Sequence, residues 1–304
     1  MKKTKEKIKI VDLFCGIGGF RLGLMKGFNT ECVFSCDIDS HARKTYYTNF
    51  KHDPAKDICD VDENDIPDHD ILCGGFPCQP YSTIGKREGL AHPTKGQLFF
   101  EICRILKKKR PRALFLENVS GLINHDKGET MKTILRELTA IGYNVQYKVL
   151  DALDYGLPAR RKRVYFVGFL DETVFEFPLP TVDCHASIGG FIESHPKKYC
   201  IYPKTQKYLF KKNDGRPEIV DRSTDKPVKT LVSTYHKVQR LTGTFVRDGD
   251  TGLRLLSENE CKAIMGFPKD FEIPVSRTQM YRQFGNSVAV PVIASIAESM
   301  AKVW

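Results

Sequence analysis

Residues 11–20 read VDLFCGIGGF: an apolar run ends on glycines, and an amphipathic stretch, FRLGLMKGF, follows at 20–28. Glycines where a strand hands over to a helix let the backbone turn tightly and come close to a ligand, the task of the first strand-to-helix turn of a nucleotide-type site. Gly16, Gly18 and Gly19 stand at that junction. A lone G-x-G-G also fits a tight turn with no ligand, so the context decides. A second apolar run, CVFSC, ends at Asp37, where an acidic residue for ribose hydroxyls is expected, and Asp57 follows another strand-like approach.

Outward from this turn, apolar runs alternate with helical patterns through the first half of the chain. Such alternation predicts βαβ units and a parallel sheet with helices on both faces. The stretch 96–110 predicts a helix with Leu98, Phe99, Ile102, Ile105 and Leu106 on one stripe, cations at its C-terminal end, and Pro111 as its stop. After VYFVGFL (164–170) the character changes. From about 183 to 253 the chain is rich in Lys, His, Thr and Asp, with short β-like pieces such as KTLVST (229–234) and GTFVRDG (243–249). Helical patterns return at LSENECKAIMGF, with Ser257 as the expected N-cap and Glu260 as its capping-box partner. The expected division is a catalytic and cofactor-binding domain over 1–182, a smaller loop- and strand-rich domain over 183–275, and a segment over 276–304 that returns to the first.

The 304 residues carry 47 Lys+Arg against 37 Asp+Glu, a net +10 that favours a polyanionic partner. No apolar run approaches the ~18–20 residues of a membrane span, so no membrane is expected and a cytoplasmic location is. Seven of the ten cysteines fall in the first 103 residues, mostly in apolar segments, which suits buried thiols in a reducing compartment better than disulfides. Cys32 and Cys36 have no second pair at finger spacing, so no metal is expected.

The segment DILCGGFPCQPYS (70–82) predicts a strand followed by a rigid loop that holds Cys78 between Pro77 and Pro80 at the carboxyl end of the sheet. ALFLENV (113–119) predicts a neighbouring strand ending on Glu117 and Asn118. A thiol and a carboxyl at one sheet edge can serve as nucleophile and acid.

The opening D-x-F-x-G-x-G-G resembles that of S-adenosylmethionine-dependent methyltransferases. Taken in order, DLFCGIGGF, CDID, GGFPCQPYS, ENV, ARRKRVYFVG, RLLSENECKAIMGFP and QFGNSVAVPV resemble the DNA (cytosine-5)-methyltransferase family of bacterial restriction-modification systems, across nearly the whole chain. The resemblance implies an α/β fold with a Rossmann-like sheet, S-adenosyl-L-methionine as cofactor, double-stranded DNA as substrate, and a target recognition domain in the idiosyncratic segment near 183–250. It allows a cognate restriction endonuclease acting separately; a monomer is expected.

The positions matching the family's motifs imply roles. Cys78 would add to C6 of a flipped-out cytosine, Glu117 would bind the N3 and N4 edge, and Arg161 and Arg163 would position the base and the carboxylate. The cofactor would be held by Phe14, Gly16, Ile17, Gly18, Gly19, Asp37, Ile38, Asp57, Ile58, Pro77 and Leu98, with Asn286, Ser287 and Val288 closing the pocket. Gln79, Ser82 and Asn118 would lie toward the target base, Thr230 and Leu231 match the family's Thr-Leu dipeptide, and with Tyr235, His236 and Arg240 of the 183–250 segment they are expected to serve recognition. Three positions depart from the family: Asp37 where Glu is common, Ile38 where an aromatic often stacks on adenine, and Ala159 where Gln opens the arginine motif. The tRNA-methylating branch keeps the same motifs; the Thr230-Leu231 dipeptide favours DNA. A catalytically silent homologue has no chemical reason to keep Cys78, Glu117, Arg161 and Arg163 together.

Overall fold

The structure, a computed structural model, describes residues 7–77, 98–196 and 198–304. By compactness the chain divides into two units. The first comprises Met1–Leu150, Lys162–Pro178 and Ile293–Trp304; the second comprises Asp151–Arg161 and Leu179–Val292. The expected boundaries at 182/183 and 275/276 stand beside observed ones at 178/179 and 292/293, and Asp151–Arg161, expected in the first domain, group with the second unit.

The first unit is built on a six-stranded sheet in the order β2-β1-β3-β4-β6-β5. Its strands are β1 (Ile8–Leu13), β2 (Thr30–Cys36), β3 (Ile71–Gly75), β4 (Ala113–Val119), β5 (Asn144–Asp151) and β6 (Lys162–Phe169). The pairs β1–β2, β1–β3 and β3–β4 are parallel. The pair β4–β6 is antiparallel, so the sheet is mixed where the alternating pattern predicted a parallel one. Alternation of strand and helix fixes element type; the direction of the last strands depends on connections that periodicity does not encode.

Alternate residues of each strand face opposite layers. Leu72, Leu114, Leu116 and Phe166 join Phe99, Ile102 and Leu106 of α3 (Leu98–Lys109) and Ile134 and Leu138 of α4 (Glu129–Ile141) in one buried core. On the other face Phe115 meets Phe20 of α1 (Gly19–Gly27) edge-on at 5.0 Å. There α1 also packs tightly on α8 (Val290–Lys302): a Cβ on Gly27 would lie 2.5 Å from the Ala297 carbonyl carbon. Asp39 caps α2 (Ser40–Phe50), its carboxylate accepting from the N–H groups of His41 and Ala42 at 2.8 and 3.3 Å.

The second unit holds α5 (Pro203–Leu209), the two-stranded pair β7 (Glu218–Val220) and β8 (Thr244–Val246), α6 (Glu258–Met265) and α7 (Arg277–Asn286). GTFVRDG contains β8 as expected, whereas KTLVST is irregular apart from the neighbouring bridge of Val228 to Ala159. The Ser257–Glu260 capping box forms in full. Among the described residues one helical stretch, Arg277–Lys302, is long and apolar enough to cross a membrane, and 67% of its most apolar window is buried within the protein.

Candidate active site

The carboxyl ends of β1, β2, β3 and β4 gather the residues singled out in the first unit. After β1 the chain turns sharply, with Phe14, Gly16 and Gly18 all at positive φ (54°, 53° and 87°). At Gly18 a side chain would be strained by the backbone and would also meet the Phe50 ring at 2.2 Å. The turn leaves the Gly16 N–H aimed at the end of β2, where it donates to Asp37 Oδ2 at 2.8 Å. Oδ1 of the same carboxylate accepts from the Asp39 N–H, also at 2.8 Å. Burial pushes the Asp37 carboxyl up, and these two N–H donors oppose it. Arg43 fastens the carbonyls of Asp37 and Ile38 at 2.7 and 3.0 Å. The Ile38 side chain is left 75% exposed beside the acid. Asp57 caps a short 3₁₀ turn by accepting from Cys59 N–H at 3.0 Å; Ile58, Ile17 and Gly19 are buried, and Leu98 is half-buried at the start of α3.

This geometry fits an adenosyl cofactor. A carboxylate has about four acceptor sites, and Asp37 uses two on backbone N–H groups that fix its orientation, so hydroxyl donors can be met by the rest. The exposed Ile38 offers an apolar surface beside it in place of an aromatic ring.

Glu117 lies near the carboxyl end of β4, opposite Gly75 of β3 on one side and Tyr165 of β6 on the other. Its carboxylate receives Arg163 Nε at 3.1 Å, with both side chains largely buried. Asn118 is 2% exposed and spends its amide on the backbone: Nδ2 donates to the Phe76 carbonyl at 3.0 Å, and Oδ1 accepts from Val119 N–H at 2.8 Å. It therefore ties the exit of β3 to the end of β4. Pro77 is exposed at that exit; Cys78, Gln79 and Ser82 lie outside the described residues.

Arg161 and Arg163, two residues apart, part company. Arg161 is buried in the second unit, where its guanidinium donates to Thr230 Oγ1 and the Leu231 carbonyl, both at 3.3 Å, to the Gly285 carbonyl at 3.2 Å, and to the Ser287 carbonyl. Its backbone N–H donates to Asp151 Oδ1 at 2.9 Å. Thr230, Leu231 and Ser287 are thus brought together by Arg161, with Val288 buried next in sequence and Asn286 exposed at the end of α7. Tyr235 is buried, its hydroxyl donating to the Thr244 carbonyl and accepting from Leu256 N–H at 3.0 Å. Arg240 is buried as well, donating to the carbonyls of Leu209 and Lys212 at 2.9 and 3.0 Å. His236 is half-buried, with Nδ1 3.1 Å from the Ser233 carbonyl.

Asp12 was not among the residues expected at the site. It sits fully buried at the end of β1, 3.8 Å from the Cys73 thiol that donates to it, and burial pushes its carboxyl up to about 8, with Arg21 opposing and Asp37 adding to the shift. Its place in the D-x-F motif was the available signal.

The C-5 cytosine-specific DNA methylase family model matches residues 8–302. Among curated proteins, the Type II methyltransferase M.MspI of Moraxella sp is 58% identical over 96% of this chain and 70% of its own. The Type II methyltransferase M.BsuFI of Bacillus subtilis is 53% identical over 97% and 72%. Among solved structures, the Entamoeba histolytica methyltransferase EhMeth superposes with a TM-score of 0.77 at 22% identity, over 97% of this chain and 98% of its own. The S. pombe Dnmt2 methyltransferase gives 0.78 at 21%, over 97% and 98%. At that identity the likeness is one of fold.

Proposed function

The chain belongs to the C-5 cytosine-specific DNA methylases, enzymes that methylate DNA cytosine at C5, and on that premise we propose that it works through a covalent Cys78 adduct on a cytosine flipped out of duplex DNA. The observation that carries this reading is the Glu117–Arg163 pair at the carboxyl end of β4, in register with Gly75, three residues ahead of Cys78.

C5 of cytosine is a poor nucleophile. Addition of the Cys78 thiolate to C6 breaks the 5,6 double bond and makes C5 electron-rich. Glu117, held by Arg163, binds the N3 and N4 edge and stabilises the charge that develops there. S-adenosylmethionine, when bound, supplies the methyl group. Phe14, Gly16 and Asp37 would hold its adenosine, with Ile38 as the apolar neighbour. Loss of the C5 proton to a base then expels the Cys78 thiolate and restores the aromatic ring. Extraction of the base from the stack costs a few kcal/mol, and phosphate contacts made by a chain of net charge +10 offset it. Protection of host DNA from a cognate endonuclease is the biological role this activity suits.

Duplex DNA carrying 5-fluorocytosine at the target should trap the wild type as a denaturation-resistant adduct, because fluorine cannot leave as a proton does. Cys78→Ala should form no adduct and no 5-methylcytosine while still binding S-adenosylmethionine. Turnover by the alanine variant would remove Cys78 from the mechanism.

A further inference from the structure

Of the second-unit residues expected to read DNA, Thr230, Leu231, Tyr235, His236 and Arg240, both Tyr235 and Arg240 point inward, and what Arg240 holds indicates where the outward surface is. Its guanidinium gathers the carbonyls of Leu209, Lys212 and Arg216 at 2.9, 3.0 and 3.1 Å and pairs with Asp214. These groups belong to one exposed segment, residues 202–212 and the turn after it, reading YPKTQKYLFKK. Leu209 is its buried anchor; Tyr202, Tyr208 and Phe210 stand out at 77%, 53% and 52% exposed. Lys204, Lys207, Lys211 and Lys212 are exposed among them, and Lys211 lies over the Tyr208 ring at 4.4 Å. No acid occurs in the segment, and the next one, Asp214, is taken up by Arg240. At the Tyr202 end the segment borders an open pocket of about 130 Å³ lined by Thr205, His236, Arg277 and Thr278 among others.

Four lysines without a carboxylate partner among the described residues, interleaved with three exposed rings on backbone fixed by a buried arginine, match a polyanion with sugar and base edges between its phosphates. We propose that residues 202–212 form a DNA-contacting face of the second unit: the lysines meet duplex phosphates, the rings pack on sugar and base edges, and Arg240 is the positioning residue that sets where the Lys211 and Lys212 end stands. The proposal rests on the reading of the chain as a DNA methylase.

The test uses a fluorescent duplex and anisotropy across a salt series. The variant Lys204→Ala/Lys207→Ala/Lys211→Ala/Lys212→Ala should flatten the slope of log K against log salt by about 0.9 for each phosphate that is no longer neutralised. A control with the same charge change on the first unit, Lys26→Ala/Lys107→Ala/Lys108→Ala/Lys132→Ala, should flatten it less. Arg240→Lys keeps the charge but cannot reach the same set of carbonyls. It should raise KM for DNA with kcat and S-adenosylmethionine affinity unchanged, and Tyr202→Ser and Phe210→Ser, on exposed positions, should weaken duplex binding without lowering Tm. An unchanged slope in the first variant, an equal loss in the control, or equal competition by single-stranded RNA overturns the proposal. Bisulfite sequencing of plasmid DNA from cells expressing the wild type is scored separately: absence of 5-methylcytosine sinks the functional reading, whereas methylation with unaltered slopes sinks only this face.

Discussion

At the scale of single residues, the site sets two carboxyl groups of the same sheet edge in different surroundings. Glu117 faces a guanidinium, whereas Asp12 is buried beside a thiol and its carboxyl is pushed up to about 8 by that burial. The consequence for stability follows from linkage. Between the ordinary value of 3.8 and about 8 the folded chain keeps a proton that the unfolded chain has released. Stability is therefore full below that window and falls as pH rises through it. Asp12→Asn does not titrate, so the stability of the wild type relative to this variant should decline between about pH 5 and about pH 8, measured by urea denaturation. Parallel curves would show that Asp12 is charged in the fold. For Glu117, Gln keeps hydrogen bonding but not the carboxylate: methyl transfer should slow by roughly 10²–10⁴-fold with duplex affinity nearly unchanged, and a wild-type rate would take Glu117 out of the chemistry.

Among the elements, α6 shows how a capping signal readable in the sequence acquires a second task. Ser257 Oγ accepts from Glu260 N–H and Glu260 Oε2 accepts from Ser257 N–H at 2.7 Å, the reciprocal pair expected. The same Glu260 carboxylate receives both terminal nitrogens of Arg254, at 2.8 and 2.9 Å, with both side chains fully buried. Arg254 also reaches Asp248 at 3.2 Å. Burial would raise the Asp248 carboxyl, but the N–H groups of Gly249 and His195 together with Arg254 outweigh it and hold it down at about 2. Loss of an N-cap costs about 1 kcal/mol, whereas removal of one partner from a buried ion pair costs ~3–5 kcal/mol, because the other charge is left stranded. Glu260→Ala should thus destabilise the protein several times more than Ser257→Ala by urea denaturation. Equal losses would mean that the cap, not the ion pair, is what Glu260 contributes.

On the scale of the whole molecule, the residues proposed for chemistry, Arg161 apart, and those expected to serve recognition fall on different units. Phe14, Asp37, Glu117 and Arg163 belong to the first, and Thr230, Leu231, Tyr235, His236 and Arg240 to the second. Variants at these recognition positions, away from Asn286, Ser287 and Val288, should therefore change which cytosine is methylated without changing cofactor affinity. His236→Ala, at a half-buried position lining the pocket, should relax target choice, each good base contact being worth about 1–3 kcal/mol of discrimination. Bisulfite sequencing of a plasmid with many cytosine contexts, beside calorimetry with S-adenosylmethionine, checks both halves. An unaltered methylated word would assign recognition to other residues.

The sequence by itself determined the glycine turn after β1, the acid that ends β2 and the ENV strand end, because each is a local pattern whose chemistry is carried by neighbours in the chain. Tertiary structure alone decided how distant groups pair. Arg163 meets Glu117 because β6 runs antiparallel to β4 and places Val119 opposite Arg163, a register no local period encodes. Two residues earlier, Arg161 belongs to the other unit and holds Thr230, Leu231, Gly285 and Ser287 there. Tyr235 and Arg240, expected from their polar segment to serve recognition, are buried. A lobe with little regular structure leaves many backbone carbonyls without ladder partners, and long side chains with several donors are drawn inward to satisfy them.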